Sequence, residues 1–512
     1  MASLLEVSAE SLVVSRNGTQ LPPYNTTYYF DQLIDHTNPS LGTFKQRFWH
    51  TYEWYETGGP IILFTPGEIN AENFTFYLTN DTINGQIAQQ QSGSTIVLEH
   101  RYYGLSNPVP DLSGKNMKYH TIQQAIDDLE YFANNVVLPM PNGDKLSPAT
   151  APWVVLIGGS YGGALTAWTM VNKPGLFWAG YASSATVEAI VDFWTYFEPI
   201  RQFMPANCSA DVEAVISHVD QVFTSNDTAA IQVLKDNWGL GAMTHVDDVA
   251  GVSLNMLDWQ FLQPASGPGQ RFFEFCDALE VKNGVNAPAS GWGLDHALIA
   301  WGSFWNSSYL AAWCGGVDVE DCFGTYNPNG SVYTNTSLGN DARSWAWVEC
   351  NQVGQVRDGA GPEDVPTLVT RLLQSPYQIR ICALTFPDVF ASPDDVPMAA
   401  GVANTNKDYG GWNLTVDRLF LANGQRDPWR GVTVSADGVD RASTDLQPIA
   451  ISDGFHTSDL LTTNGKVDHT VLAVQTQALS YMKTWLAERT LPSYKREVRP
   501  AQNSRFLKDV GV

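Results

Sequence analysis

A chain of 512 residues with 44% hydrophobic and 16% charged residues has enough apolar material for a large folded core, which excludes a disordered polypeptide. Its 29 basic and 53 acidic residues leave a formal charge of -24, which repels nucleic acid and anionic membrane surfaces and excludes them as general partners. No apolar, uncharged run reaches the ~18 residues that a membrane span requires, so no transmembrane helix is expected.

The start, Met1-Ala-Ser-Leu-Leu-Glu, lacks the charged and apolar regions of a signal peptide. Sequons nevertheless occur at Asn17, Asn25, Asn73, Asn80, Asn207, Asn226, Asn306, Asn329, Asn335 and Asn413. The six cysteines all fall between Cys208 and Cys382, as a disulfide set would. The expectation is a secreted or vacuolar/lysosomal glycoprotein whose signal is absent from this sequence.

Residues up to about 40, with Pro22-Pro23 and Tyr28-Tyr29-Phe30, read as an extended arm leading into the fold. Phe44 to Trp54 reads as a strand with one covered face. Pro60 to Thr65 and Ser94 to Glu99 are short, mainly apolar runs, the pattern of buried strands. His120 to Val137 has helical spacing, with Asp127, Asp128 and Glu130 expected on its wet face.

At Trp153-Val-Val-Leu-Ile-Gly-Gly-Ser-Tyr-Gly-Gly163 a buried strand runs into a glycine-crowded turn with Ser160 at its tip, and a helix follows. Strand, Gly-x-Ser-x-Gly, helix is the arrangement of a nucleophile elbow. Leu176 to Tyr181 reads as the next strand, and the alternation then stops near residue 186.

Residues 187–400 carry helical patterns, half of the sequons and all the cysteines, with little strand signal. Strand patterns resume at Arg418 to Ala422 and Gln447 to Ile451, and a long amphipathic helix spans Val467 to Glu488 before a basic tail from Pro492. The expected organisation is an α/β-hydrolase fold whose first part (1–186) and second part (401–512) flank an inserted, mainly helical, disulfide-bonded cap (187–400). Six cysteines allow 15 pairings, of which spacing singles out only Cys314 with Cys322 as nearest neighbours.

A serine hydroxyl needs a base and an orienting acid. In this fold they follow in the order Ser, Asp or Glu, His, each just past the end of a core strand. Among the nine histidines, His36, His50, His100 and His120 precede Ser160, and His218, His245 and His296 lie in the cap. His469 sits on the last helix, which leaves His456, in a loop past the final strand, as the base. Asp427, in the turn after the preceding strand, is the expected acid. The oxyanion donors should be the Tyr161 N–H and a residue of the Pro66-Gly67-Glu68 loop, with Gly67 the pivot. Glu68 reads equally as a substrate contact or as a carboxylate bonded to nearby N–H groups. The chemistry calls for no metal and no cofactor.

The blocks Phe44-Lys-Gln-Arg-Phe-Trp49, Glu99-His-Arg-Tyr-Tyr-Gly104, Gly158-Gly-Ser-Tyr-Gly-Gly163, Asn423-Gly-x-x-Asp-Pro-Trp429 and Gly454-x-His456 resemble family S28 of the serine peptidases. By position, the resemblance makes Ser160, Asp427 and His456 nucleophile, acid and base. It implies cleavage on the carboxyl side of proline at acidic pH, by a prolyl endopeptidase or Pro-X carboxypeptidase, acting on proline-containing peptides or proteins as a monomer or homodimer. A proline ring calls for a flat aromatic S1 wall, and Trp429 is placed to supply one. Two departures stand out: Thr457 where many members have a second His, and Trp345-Ala-Trp-Val-Glu-Cys350 where a Trp…Gln…Cys block is common. The alternatives are a dipeptidyl or tripeptidyl aminopeptidase of the same family, or an esterase or lipase.

Overall fold

The short apolar runs of the sequence assemble into one central sheet. In the computed structural model, which describes residues 12–489 apart from 152 and 360, it has eight strands. They are β1 (Tyr28–Leu33), β2 (Thr43–Thr51), β3 (Ile61–Thr65), β4 (Ser94–Leu98), β5 (Trp153–Gly159), β6 (Ala179–Ser183), β7 (Leu419–Gly424) and β8 (Ile449–Ser452), in the order β1-β2-β4-β3-β5-β6-β7-β8. β2 runs antiparallel to β1 and β4, and every other pairing is parallel. This is an α/β-hydrolase sheet.

Strands covered on both faces need apolar side chains on both, which is why β3 and β4 read as unbroken buried runs. On one face, Ile122, Ile126, Leu129 and Phe132 of α1 (Ile122–Asn135) and Leu165 and Trp168 of α2 (Tyr161–Asn172) pack on Leu63, Ile96 and Leu156. On the other, Val474, Ala478, Met482 and Trp485 of α3 (His469–Ala487) meet Ile62, Phe64, Val97 and Phe420. Asp468 caps α3 by accepting from the Thr470 and Val471 N–H groups, and a separate helical turn, Thr462–Val467, precedes it.

Between β6 and β7 the chain leaves the central sheet. This insertion has its own aromatic-rich core, including Phe193, Trp238, Trp259, Phe275 and Trp301. Three disulfides, Cys208–Cys276, Cys314–Cys322 and Cys350–Cys382, staple it, which settles the pairing that spacing left open. It also contains short strands that the sequence did not announce: Ile190–Asp192 pairs in parallel with Gly354–Val356, and a small hairpin joins Val281–Lys282 to Val285–Asn286.

Two local expectations are corrected. Tyr28 to Leu33 does not belong to an extended arm; it is the edge strand β1, and Tyr28 stacks on Phe48 of β2 with ring centroids 5.4 Å apart. Asp128 does not face water. It is 2% exposed and accepts from Arg101 Nε at 2.6 Å and from Arg101 Nη2 at 2.5 Å, with His36 Nε2 at 2.7 Å. A buried guanidinium needs a buried counter-charge, and that demand overrides the polar face of the helix. The opening residues before Leu12 and the tail from Pro492 lie outside the described residues, where no helix is long and apolar enough to cross a membrane within 12–489.

The Glu99–Gly104 block has a structural role. Glu99 is fully buried and accepts from Arg47 Nε (2.9 Å) and Nη2 (2.6 Å), the Ala71 and Leu105 N–H groups and Ser106 Oγ. It ties β2 to the loops after β3 and β4. Glu99→Ala removes the buried counter-charge of Arg47, leaving it the exposed Glu72 carboxylate at 3.3 Å and the Asn70 amide, and should lower the unfolding free energy by about 3 kcal/mol, read by denaturant titration. Glu56→Ala, which removes the exposed pair with Arg16, should leave the same titration almost unmoved.

Candidate active site

The turn between β5 and α2 is closed by the absence of side chains. A Cβ on Gly158 would lie 2.0 Å from the Gly162 carbonyl oxygen, and one on Gly162 would lie 2.5 Å from the Thr65 oxygen. Ser160, between them, is held at φ 57°, ψ -128°, a left-handed conformation that costs a non-glycine residue about 1–3 kcal/mol. The Ser160 N–H donates to the Ser183 carbonyl of β6 (3.0 Å), and the Ser160 carbonyl accepts from Ala164 N (2.9 Å). Ser160 therefore stands at the N-terminus of α2, where the first N–H groups, Tyr161 included, have no acceptor within the helix.

The loop after β3 leans on this turn. Gly67, at φ 81°, is so close that a Cβ would sit 3.0 Å from Gly162 N. The Tyr161 ring is fixed from both sides, by His100 Nε2 at 3.2 Å from its hydroxyl and by the Trp345 ring of the insertion at 5.1 Å.

Asp427 follows β7, caps the turn Pro428–Val432, and is fully buried. Its Oδ1 accepts from Trp429 N and from His456 Nδ1, both at 2.9 Å. A carboxylate can only accept, so Nδ1 carries the proton and the lone pair of His456 is on Nε2. His456 reaches Asp427 from the loop after β8, the neighbouring strand. The next residue, Thr457, lies against the elbow: a Cβ on Gly159 would be 3.0 Å from its Cγ2, and the Thr457 N–H donates to Ser184 Oγ at 2.9 Å. Since β5, β6, β7 and β8 run parallel side by side, the loops carrying Asp427 and His456 leave the same edge of the sheet as the turn that carries Ser160.

Trp429 is 7% exposed, with its ring 6.1 Å from that of His456. Phe193 and Tyr196 pack against it, and the Arg357 guanidinium lies 5.7 Å from its centroid. Glu68 is partly buried overall, but its Oε2 is shut off from solvent and has no hydrogen-bond partner among the described residues. Burial pushes its carboxyl up to about 7, against the pull of its own backbone N–H and of His456, with the nearby Glu349 adding to the rise. Glu349 is itself pushed up to about 7 by burial, opposed by Arg357, whose Nη2 is 4.0 Å from its Oε1. Sequence reasoning missed Glu349, Arg357 and Tyr196, because single residues of the insertion carry no spacing that points at the elbow.

Residues 32–250 and 311–478 match the family model "Serine carboxypeptidase S28". Serine protease vicPa of Bipolaris victoriae is 36% identical over 92% of this chain and 91% of its own. A probable extracellular serine carboxypeptidase of Arthroderma benhamiae is 30% identical, covering 86% of this chain and 64% of its own. Human lysosomal Pro-X carboxypeptidase is 25% identical over 93% and 92%. The chain belongs to the S28 family and is a serine-type peptidase.

The two raised carboxyls have a testable linkage. The folded protein keeps protons that the unfolded chain releases between about pH 4.5 and 7. The stability these groups supply is therefore full below that window and is lost as pH rises through it. Replacing Glu68 and Glu349 by Gln removes the dependence. The melting temperature of the double variant relative to the parent should rise by several degrees between about pH 5 and pH 8. A difference that stays flat over this range would contradict the assignment.

Proposed function

We propose that this peptidase hydrolyses peptide bonds on the carboxyl side of proline at acidic pH, with Ser160 as nucleophile, His456 as base and Asp427 as orienting acid. The observation that carries the reading is the His456–Asp427 hydrogen bond, which in the neutral ring leaves the lone pair on Nε2, with the next residue, Thr457, lying against the elbow that holds Ser160. As Ser160 Oγ attacks the proline carbonyl carbon, its proton passes to His456 Nε2, and the buried Asp427 carboxylate stabilises the imidazolium. The oxyanion is met by the Tyr161 N–H and a donor from the Gly67 loop. Collapse of the tetrahedral adduct breaks the C–N bond, and His456 returns the proton to the departing amine. Water, deprotonated by the same imidazole, then releases the peptide acid from Ser160.

The name of the human relative carries the preference for proline. The aromatic group of Trp429, Tyr196 and Phe193 suits it, since a flat, apolar ring gains most from contact with flat apolar walls. Glu68 and Glu349 support the acid range: below about pH 7 both hold a proton, so the cleft sheds negative charge where the enzyme is proposed to work. Glu68 is read as a substrate contact. The insertion, taken as residues 187–400, is read as the cap over this cleft. A secreted or vacuolar location accords with the disulfides and with the extracellular and lysosomal relatives.

The decisive experiment is mass spectrometry of the products of a long proline-containing peptide at about pH 4–5, a range in which an acid peptidase should act. Internal fragments ending in proline are expected of endopeptidase action, and loss of a single C-terminal residue after proline is expected of a carboxypeptidase. Release of N-terminal di- or tripeptides would replace both by an aminopeptidase, and cleavage elsewhere would end the proline assignment. Ser160→Ala should lower kcat by at least about 10³-fold with the fold intact; undiminished turnover would rule out Ser160 as nucleophile.

A further inference from the structure

One short stretch of the insertion touches both loops that carry the base and the acid. The 3-10 segment Gly251–Phe261 and the turn after it carry Trp259, Gln260 and Gln263. Trp259 is 2% exposed; its Nε1–H donates to the Arg426 carbonyl at 2.7 Å, one residue before Asp427. The same ring packs on Phe455, one residue before His456, with centroids 5.3 Å apart. Gln260 Oε1 accepts from Trp429 Nε1 (3.0 Å) and from the Tyr196 hydroxyl (2.9 Å). Gln263 Nε2 donates to the His456 carbonyl itself at 2.9 Å. Its Oε1 accepts from Ser458 Oγ (2.8 Å) and Asn464 Nδ2 (2.9 Å), so its amide orientation is fixed by partners on both sides.

The need for such a device follows from where the pair lies. Asp427 and His456 sit on separate loops beyond the ends of β7 and β8, where the backbone bonds between the two, Gln425 N–H to the Ser452 carbonyl (2.8 Å) and Arg426 N–H to the Gly454 carbonyl (3.0 Å), stop short of both residues. A hydrogen bond tolerates only a few tenths of an ångström before it weakens, whereas loops move more than that. The Arg426 and His456 carbonyls both need donors once the cleft is covered, and both donors come from this one stretch of chain. The stretch lies within residues 251–310, outside the part matched by the family model.

We propose that Trp259, Gln260 and Gln263 are positioning residues that lock the Asp427 and His456 loops to one rigid turn of the insertion and so set the Nδ1–Oδ1 contact on which the base depends. The proposal rests on the reading of Ser160, Asp427 and His456 given above. On this view the insertion covers the cleft and also completes it, because its docking brings base and acid into register.

The test uses the rate at which a fluorophosphonate labels Ser160 in the full-length protein, a reaction that needs the base but no peptide recognition. Gln263→Glu keeps the oxygen that accepts from Ser458 and Asn464, but when ionised it turns a second oxygen toward the His456 carbonyl. Labelling should fall about ten- to a hundredfold at pH 7. The loss relative to the parent should shrink toward pH 4, as the new carboxyl gains a proton and can donate to that carbonyl. Trp259→Phe keeps the packing on Phe455 and deletes the donor to Arg426; it should slow labelling about tenfold with no recovery at low pH. Trp301→Phe, in the insertion's own core, controls for general loosening and should label at the parental rate. If His456→Ala labels like the parent, the Ser-Asp-His reading itself is wrong. If His456→Ala is inert while the Gln263 and Trp259 variants match the parent, the positioning role is refuted. A loss equal to that of Trp301→Phe and independent of pH refutes it as well.

Discussion

The structure turns on how closely the first turn of α2 can approach the ends of β3, β5 and β6. At that point four segments of backbone meet with no side chain between them, and Ser160 is driven into a backbone conformation that a serine does not choose. The strain is held by what surrounds it. The hydrophobic faces of β3 to β6 and the helices on either side are fully buried, and their packing cannot relax without opening the sheet. Position at the elbow is thus supplied by the whole central sheet, while the residues at the elbow supply only the lack of obstruction.

This division explains what could be read from the sequence. Short apolar runs between glycines and prolines are strands because nothing else buries them on both faces. With the strands placed, chain order alone singled out Asp427 and His456, which the structure joins by a hydrogen bond. The edge strand at Tyr28 was not legible, since an alternating run looks the same whether or not a neighbour pairs with it. Asp128 looked like a surface residue because its partner, Arg101, lies on a different element and helix periodicity has no means of showing a buried ion pair. Gln263 was invisible for a related reason. An amide carries no charge and no spacing signature, and its contact with His456 spans 193 residues of chain.

The ionisable groups inside the protein divide into two sets that respond to pH in opposite directions. Burial lowers His50 to about 3 and His100 to about 4, and drives His120 well below its ordinary value. These rings stay neutral in the fold but take up protons when it opens, so their contribution to stability is lost as pH falls below about 6.5. Glu68 and Glu349 act the other way. The histidines lie on β2 and behind the elbow, and the carboxyls lie in the cleft. Acid therefore strains the scaffold in the same range in which it relieves the cleft.

The disulfides have a consequence of their own. All three lie between β6 and β7, and none joins two strands of the central sheet. Cys350 directly follows Glu349 and, through Cys382, ties the segment that carries Trp345 and Glu349 to the helix Ser375–Thr385. A reductant would therefore cut covalent ties within the insertion and none within the central sheet.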